Sequence, residues 1–195
     1  MEKQTDTVDV RGLTCPQPVI LTRQALEQTR QDRITVVADS ETARDNIMKM
    51  ARSLSCGVEV DRRGSDFYIS ITKPEDFSTA LEPQENLLFL VASDSLGRGS
   101  EDLGRLLMKN LFYTMSEQGG LGKVIIFVNS GVKLACTGSP ALDFLFELQQ
   151  DGAEIFACGT CLDYFKLKDQ LSVGQVTNMY TILDYLQKVP RVIYL

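Results

Sequence analysis

The sequence predicts an α/β protein in two parts: a two-layer βαβαββ sandwich, then a three-layer α/β domain on a mainly parallel sheet. Three observations carry that expectation. Over residues 1–73 the apolar strand positions alternate, as they do where one sheet face is buried. From Leu87 onward the strands are continuous apolar runs, the pattern of strands covered on both faces. Between them, residues 74–86 hold two prolines and four acids without a clear period, which reads as a linker. The expected domains are therefore 1–73 and 87–195.

In the first part, Val8 and Val10 read as a strand, Gly12 as a turn, and Pro16 and Pro18 as the opening turn of a helix, where a missing N–H costs least. Ile34, Val36 and Ala38 form a second strand. Ala43, Ile47, Met50, Ala51 and Leu54 recur at helical spacing. Val58 and Val60 begin a third strand, Arg63-Gly64-Ser65 turns, and Phe67, Ile69 and Ile71 alternate in a fourth. One buried face places both helices on the same side.

In the second part, Leu87–Ala92, Val124–Val128, Ile155–Ala157 and Val192–Leu195 are the strand candidates. Helical stripes lie between them: Leu103 to Met115, Leu142 to Phe146 after a Ser139-Pro140 cap, and Met179 to Leu186 after Thr177. The loop Ser93–Gly104 stands where a phosphate cradle would. Its glycine spacing is wrong, and Glu101 and Asp102 put negative charge at the helix start, so no nucleotide is expected.

The chain has 195 residues and a formal net charge of −6. Basic and acidic residues balance at eleven each in 1–73, and the acidic excess lies in 74–195. No basic footprint for nucleic acid is present. No apolar run is long enough to span a bilayer, and the polar first ten residues do not read as a signal peptide, so a cytoplasmic protein is expected. Five cysteines, an odd number, do not suggest a secreted disulfide framework. Histidine is absent. That removes Ser-His and Cys-His nucleophile pairs and imidazole metal ligands.

Two cysteine motifs remain. In Arg11-Gly12-Leu13-Thr14-Cys15-Pro16-Gln17-Pro18, strand, turn and prolines place Cys15 beside a helix start, where unpaired N–H groups favour an anionic sulfur. The alternative is a buried cysteine ahead of a proline-started helix. This run, strand-R-G-L-x-C-P-x-P-helix, resembles the TusA/SirA sulfur-carrier family. The resemblance implies a persulfide-carrying Cys15 in a motif shaped by Arg11, Gly12, Pro16 and Pro18.

In the second motif, the strand Ile155–Ala157 ends at Cys158-Gly159-Thr160-Cys161, and a short helix over 162–168 is expected next. The carboxyl end of a parallel strand is where such domains place sites. Thr160 is expected to cap that helix, with both sulfurs near unpaired N–H groups. Zinc, a thioredoxin-like dithiol, a persulfide site and a buried structural pair all stay open. Residues 87–195 resemble the DsrE/TusD superfamily, which maps a reactive cysteine onto Cys158. The whole arrangement is similar to the YedF family, a sulfurtransferase-like family linked to selenium metabolism.

These resemblances imply a carrier of sulfur or selenium, with Cys15 and Cys158 as acceptors, Cys161 as resolving thiol, and Gly159 and Thr160 shaping the second motif. No cofactor and no metal are expected. The implied partners are a protein donor, such as a cysteine desulfurase, and a protein acceptor; a homo-oligomer stays open. A non-catalytic adaptor or regulator and a CxxC oxidoreductase are the rival readings. Cys56 and Cys136 read as core.

Overall fold

The computed structural model describes residues 6–77, 87–118 and 123–195. The chain divides into two compact units, Met1–Ala80 and Leu81–Leu195. Most of the linker expected over 74–86 lies outside the described residues. Phe77 packs on the core of the first unit.

The first unit runs β1 (Asp6–Asp9), α1 (Gln17–Gln28), β2 (Arg33–Ala38), α2 (Glu41–Ser53), β3 (Gly57–Arg63), β4 (Asp66–Thr72). The sheet order is β1-β2-β4-β3. β1 pairs parallel to β2, and the other neighbours are antiparallel. The alternation read from the sequence is the physical fact of this sheet. Ile69 sits opposite Val36 and Ile71 opposite Ile34, and these side chains share one core with Leu26 of α1 and with Ala43, Ile47 and Ala51 of α2. Both helices therefore cover the same face. Ser40 starts α2, its Oγ accepting from Ala43 N–H at 3.2 Å, an ordinary N-cap. Because β1 and β2 are parallel and each feeds a helix, both helix N-termini lie at one end of the sheet.

The second unit runs β5 (Leu87–Val91), α3 (Glu101–Gln118), β6 (Lys123–Phe127), a 3-10 segment (Asn129–Ala135), α4 (Leu142–Gln150), β7 (Glu154–Cys158), α5 (Gly159–Phe165), a 3-10 turn (Lys168–Gln170), β8 (Gln175–Thr177), α6 (Met179–Lys188) and β9 (Arg191–Tyr194). All five strands are parallel, in the order β8-β7-β6-β5-β9. The chain steps outward from β5 to β8 and then returns through α6 to the far side of β5. Right-handed crossovers with that reversal put helices on both faces. Tyr185 of α6 stacks against Phe156 of β7 with ring centroids 5.2 Å apart, and its hydroxyl donates to Glu154 at 2.8 Å. Leu88, Ile125, Phe127, Met108, Phe112 and Leu145 are fully buried at the centre.

Several details depart from the sequence reading. β8 has three residues, too few to leave a pattern. α4 begins at Leu142 rather than at Pro140; Ser139 Oγ instead accepts from Ala141 N–H at 3.2 Å. Asn178 caps α6, accepting from Thr181 N–H at 3.1 Å. The Ser93–Gly104 loop folds back on its helix: Leu96 N–H donates to Gly104 O at 3.0 Å. A Cβ on Gly104 would lie 1.9 Å from Ser95 Oγ.

Each unit owns a buried core. Fragments 1–73 and 86–195 are therefore each expected to stay in solution and melt cooperatively. Calorimetry checks this, and a second fragment that folds only in the presence of the first would contradict it.

Candidate functional site

Cys15 is exposed, and the turn that presents it is tied down on both sides. Arg11 bridges two strands' ends: Nε and Nη2 donate to Asp9 at 2.9 and 2.5 Å, and Nη1 donates to Asp66 at 2.9 Å. Asp39 accepts from Gly12 N–H at 2.8 Å. Gly12 has φ +72°, a conformation that side-chain-bearing residues rarely adopt. Arg11 is thus a fastener of the turn and is neutralised by its two carboxylates. The guanidinium holds Asp9 down at a pKa of about 2, chiefly through its side-chain hydrogen bond.

That shift has a sign. Asp9 is ionised in the folded state well below its ordinary titration, so the turn's fastening is intact above about pH 4 and is lost as pH falls through about 2. An NMR titration of the Asp9 carboxyl is expected to give a midpoint near 2, and to return towards the ordinary carboxylate range in Arg11→Gln.

The helix start is built differently from the sequence expectation. Pro16 is the N-cap, with no side-chain cap, and Cys15–Pro16 is a cis peptide. Pro16 and Pro18 have no N–H to offer. Gln17 N–H donates to Thr14 O at 3.0 Å, and Val19 and Ile20 N–H donate to Pro16 O at 3.1 and 3.2 Å. The expected ring of unpaired N–H groups from α1 is absent, because prolines and local turns consume it. What the sequence did not reveal is the second wall. Cys15 lines a pocket of about 200 Å³ that also takes Ser40, Thr42 and Asn46 from the start of α2. The starts of two helices thus border one pocket around this sulfur. A Ser-x-Thr-x-x-x-Asn helix start is the signal that was there to read, but only the fold brings it to Cys15.

The second motif lies at the carboxyl edge of the parallel sheet. Cys158 ends β7 opposite Thr177 of β8 and is the N-cap of α5. It is buried, with 2% of its surface exposed. A Cβ on Gly159 would approach Val176 Cγ1 at 3.0 Å and Thr177 O at 3.3 Å, so this glycine allows α5 to seat on β8. Thr160 is inside the helix and exposed, and no side chain caps α5; the expected Thr160 cap is not formed. Cys161 is partly exposed. Its Sγ accepts from Asn129 N–H at 3.1 Å, and it is hydrogen-bonded to Cys158.

Burial, then the neighbouring Cys158, push the Cys161 thiol up, against the pull of the Asn129 amide. Desolvation here outweighs one backbone donor. Lys168 pairs with Asp163 at 3.3 Å and Lys166 takes the left-handed cap of α5. Cys136 is buried, its thiol donating to Val132 O at 3.2 Å, and Cys56 is buried in the first core. Burial raises both. Among the described residues no group of three or more His, Cys, Asp or Glu is placed to hold a metal ion. No helix among them is long and apolar enough to cross a membrane.

Residues 6–73 match the family model described as sulfurtransferase TusA. No curated protein matches the chain. Among solved structures, a SirA-like protein from Desulfitobacterium hafniense is 28% identical, with this chain matched over 36% and that chain over 100%, at a TM-score of 0.34. The ychN protein from E. coli is 13% identical over 57% of this chain and 100% of its own, with a TM-score of 0.46. A protein of unknown function from Methanobacterium thermoautotrophicum is 18% identical over 57% of this chain and 100% of its own, with a TM-score of 0.44. The first unit is a small sheet with two helices on one face and a cysteine at their shared N-terminal end. Residues 6–73 are a TusA/SirA-like domain.

Proposed function

We propose that the chain carries sulfur or selenium at the persulfide level and passes it between protein cysteines, with Cys15 as the carrier. The observation that supports this most is the placement of Cys15. It is the one exposed thiol of the five, the others being buried or partly buried, it belongs to the TusA-like segment, and it lines a pocket between two helix starts. In the transfer, the Cys15 thiolate attacks the outer sulfur of a donor persulfide. A new S–S bond forms on Cys15, the donor's S–S bond breaks, and the donor leaves as its thiolate. No metal, cofactor or outside oxidant enters that exchange.

The second unit is read as DsrE-like and the whole as YedF-like, working in the cytoplasm, with a cysteine desulfurase as donor and a second protein as acceptor. Selenium metabolism is the setting the resemblance suggests. Cys158 and Cys161 are the working pair of that unit. The burial of Cys158 and the partial exposure of Cys161 support one order: Cys161 takes sulfur from a partner, and Cys158 resolves it from within. Attack of Cys158 on the inner sulfur of a Cys161 persulfide forms the Cys158–Cys161 disulfide and releases sulfide, so electrons balance within the motif. This reverses the order read from the sequence, because Cys158 is buried.

The test is intact mass spectrometry of the whole chain after incubation with a cysteine desulfurase and either cysteine or selenocysteine. Adducts of single sulfur or selenium atoms are expected. A chain that binds the desulfurase but gains no adduct is an adaptor, and the carrier reading then fails.

A further inference from the structure

The second unit holds a cavity of about 420 Å³ that the cysteine chemistry does not use. It opens at the carboxyl edge of the parallel sheet, between the segments that follow β5, β6 and β7. We infer that this cavity binds a small organic anion with an apolar body, of the carboxylate class.

The walls are mostly apolar: Leu134, Ala141, Phe165 and Leu167 contribute to them. Three cations line the same space. Arg105 and Lys109 stand one turn apart on α3, and Lys133 comes from the 3-10 segment after β6. Asp94 is the single acid among the lining residues. Lys133 spends part of its charge on Asp94 at 3.6 Å and lies 5.0 Å from the Phe165 ring centre. Arg105 donates to Glu101, which lies outside the lining. Lys109 has no ionic or hydrogen-bond partner among the described residues.

The chain as a whole is acidic, with a net charge of −6, so an excess of lining cations over acids is a local reversal. Apolar walls with a few convergent charged groups are the usual makeup of a small-molecule site, and the volume falls in the usual range of roughly 300–1,000 Å³. A cation is repelled here. A bare inorganic anion gains the charges but gives up its hydration against apolar walls. An acid with a hydrocarbon body satisfies both parts, its carboxylate meeting Lys109 at the rim and its body lying against Phe165 and Leu167. Cys136 on the wall stays a thiol, since burial raises it and it donates to Val132 O; binding is non-covalent.

The test uses the full chain, with 4-phenylbutyrate as probe, 4-phenylbutyramide as its uncharged counterpart and inorganic phosphate as the bare anion. Calorimetry is expected to show saturable binding of phenylbutyrate, with the amide and phosphate at least about ten-fold weaker, a difference of about 1.4 kcal/mol. Amide shifts in an NMR titration should concentrate on residues 133–141 and 165–167. Lys109→Gln, an exposed substitution, should weaken phenylbutyrate by roughly five-fold or more, as loss of one charge-assisted contact does. No saturable binding, equal binding of the amide or of phosphate, an unaffected Lys109→Gln, or shifts lying elsewhere each overturn the assignment. None of these readouts depends on sulfur loading, so the carrier proposal and this one fail separately.

Discussion

Cys15→Ser is expected to abolish sulfur loading of the first unit while leaving its melting temperature unchanged within about 4 °C. Cys15 is exposed and has no hydrogen-bond partner in the described structure, so exchanging sulfur for oxygen costs little packing. Surface changes of that kind stay within about 0.5 kcal/mol. Chemically the change is total, since a serine hydroxyl forms no persulfide. Cys56→Ser is the matched control. Its side chain is 6% exposed, within the core under both helices, and a hydroxyl there costs about 1–3 kcal/mol. For a domain of this size that lowers the melting temperature by roughly 4–8 °C per kcal/mol, with loading unaffected. The two variants thus dissociate chemistry from stability in opposite directions. Loading that survives Cys15→Ser and disappears in Cys56→Ser would invert the assignment.

The second large effect is expected at the paired cysteines. Cys161→Ser should remove sulfur uptake by the second unit, because it takes away the more exposed sulfur of the pair. Cys158→Ser should let a persulfide accumulate on Cys161, because the thiol that discharges it is gone. Release of sulfide should fall by an order of magnitude or more in either variant, but only Cys158→Ser keeps the adduct. Peptide mapping after alkylation distinguishes them. The opposite pattern, with accumulation in Cys161→Ser, restores the order the sequence alone suggested. Turnover of a disulfide substrate with no sulfane sulfur present would instead identify a dithiol oxidoreductase.

The sequence made some of this legible for physical reasons. Alternation at Phe67, Ile69 and Ile71 is a one-dimensional record of a one-sided sheet. The runs at Leu87 and Val124 are the same record for a sheet covered on both faces. The Cys15 turn was readable because two prolines and a glycine have few places to go. What was hidden depends on contacts distant in sequence. Ser40, Thr42 and Asn46 wall the Cys15 pocket, yet nothing local in them points to residue 15. Arg11 read as part of a motif, but its partner Asp66 lies 55 residues away. Thr160 was expected to cap a helix because threonine favours that position; the strand runs directly into α5, and Cys158 occupies the cap instead. Cys158 is buried and Cys161 partly exposed, a difference that a four-residue motif does not encode.

The most direct test of the account is to locate the first sulfur. The whole chain is incubated with a cysteine desulfurase and limiting cysteine, quenched early by alkylation, and digested for peptide mapping. The account predicts sulfane sulfur on the peptide containing Cys15 before any appears elsewhere. Sulfur found first on any other cysteine, or on no cysteine of the chain while the desulfurase itself is loaded, would contradict it.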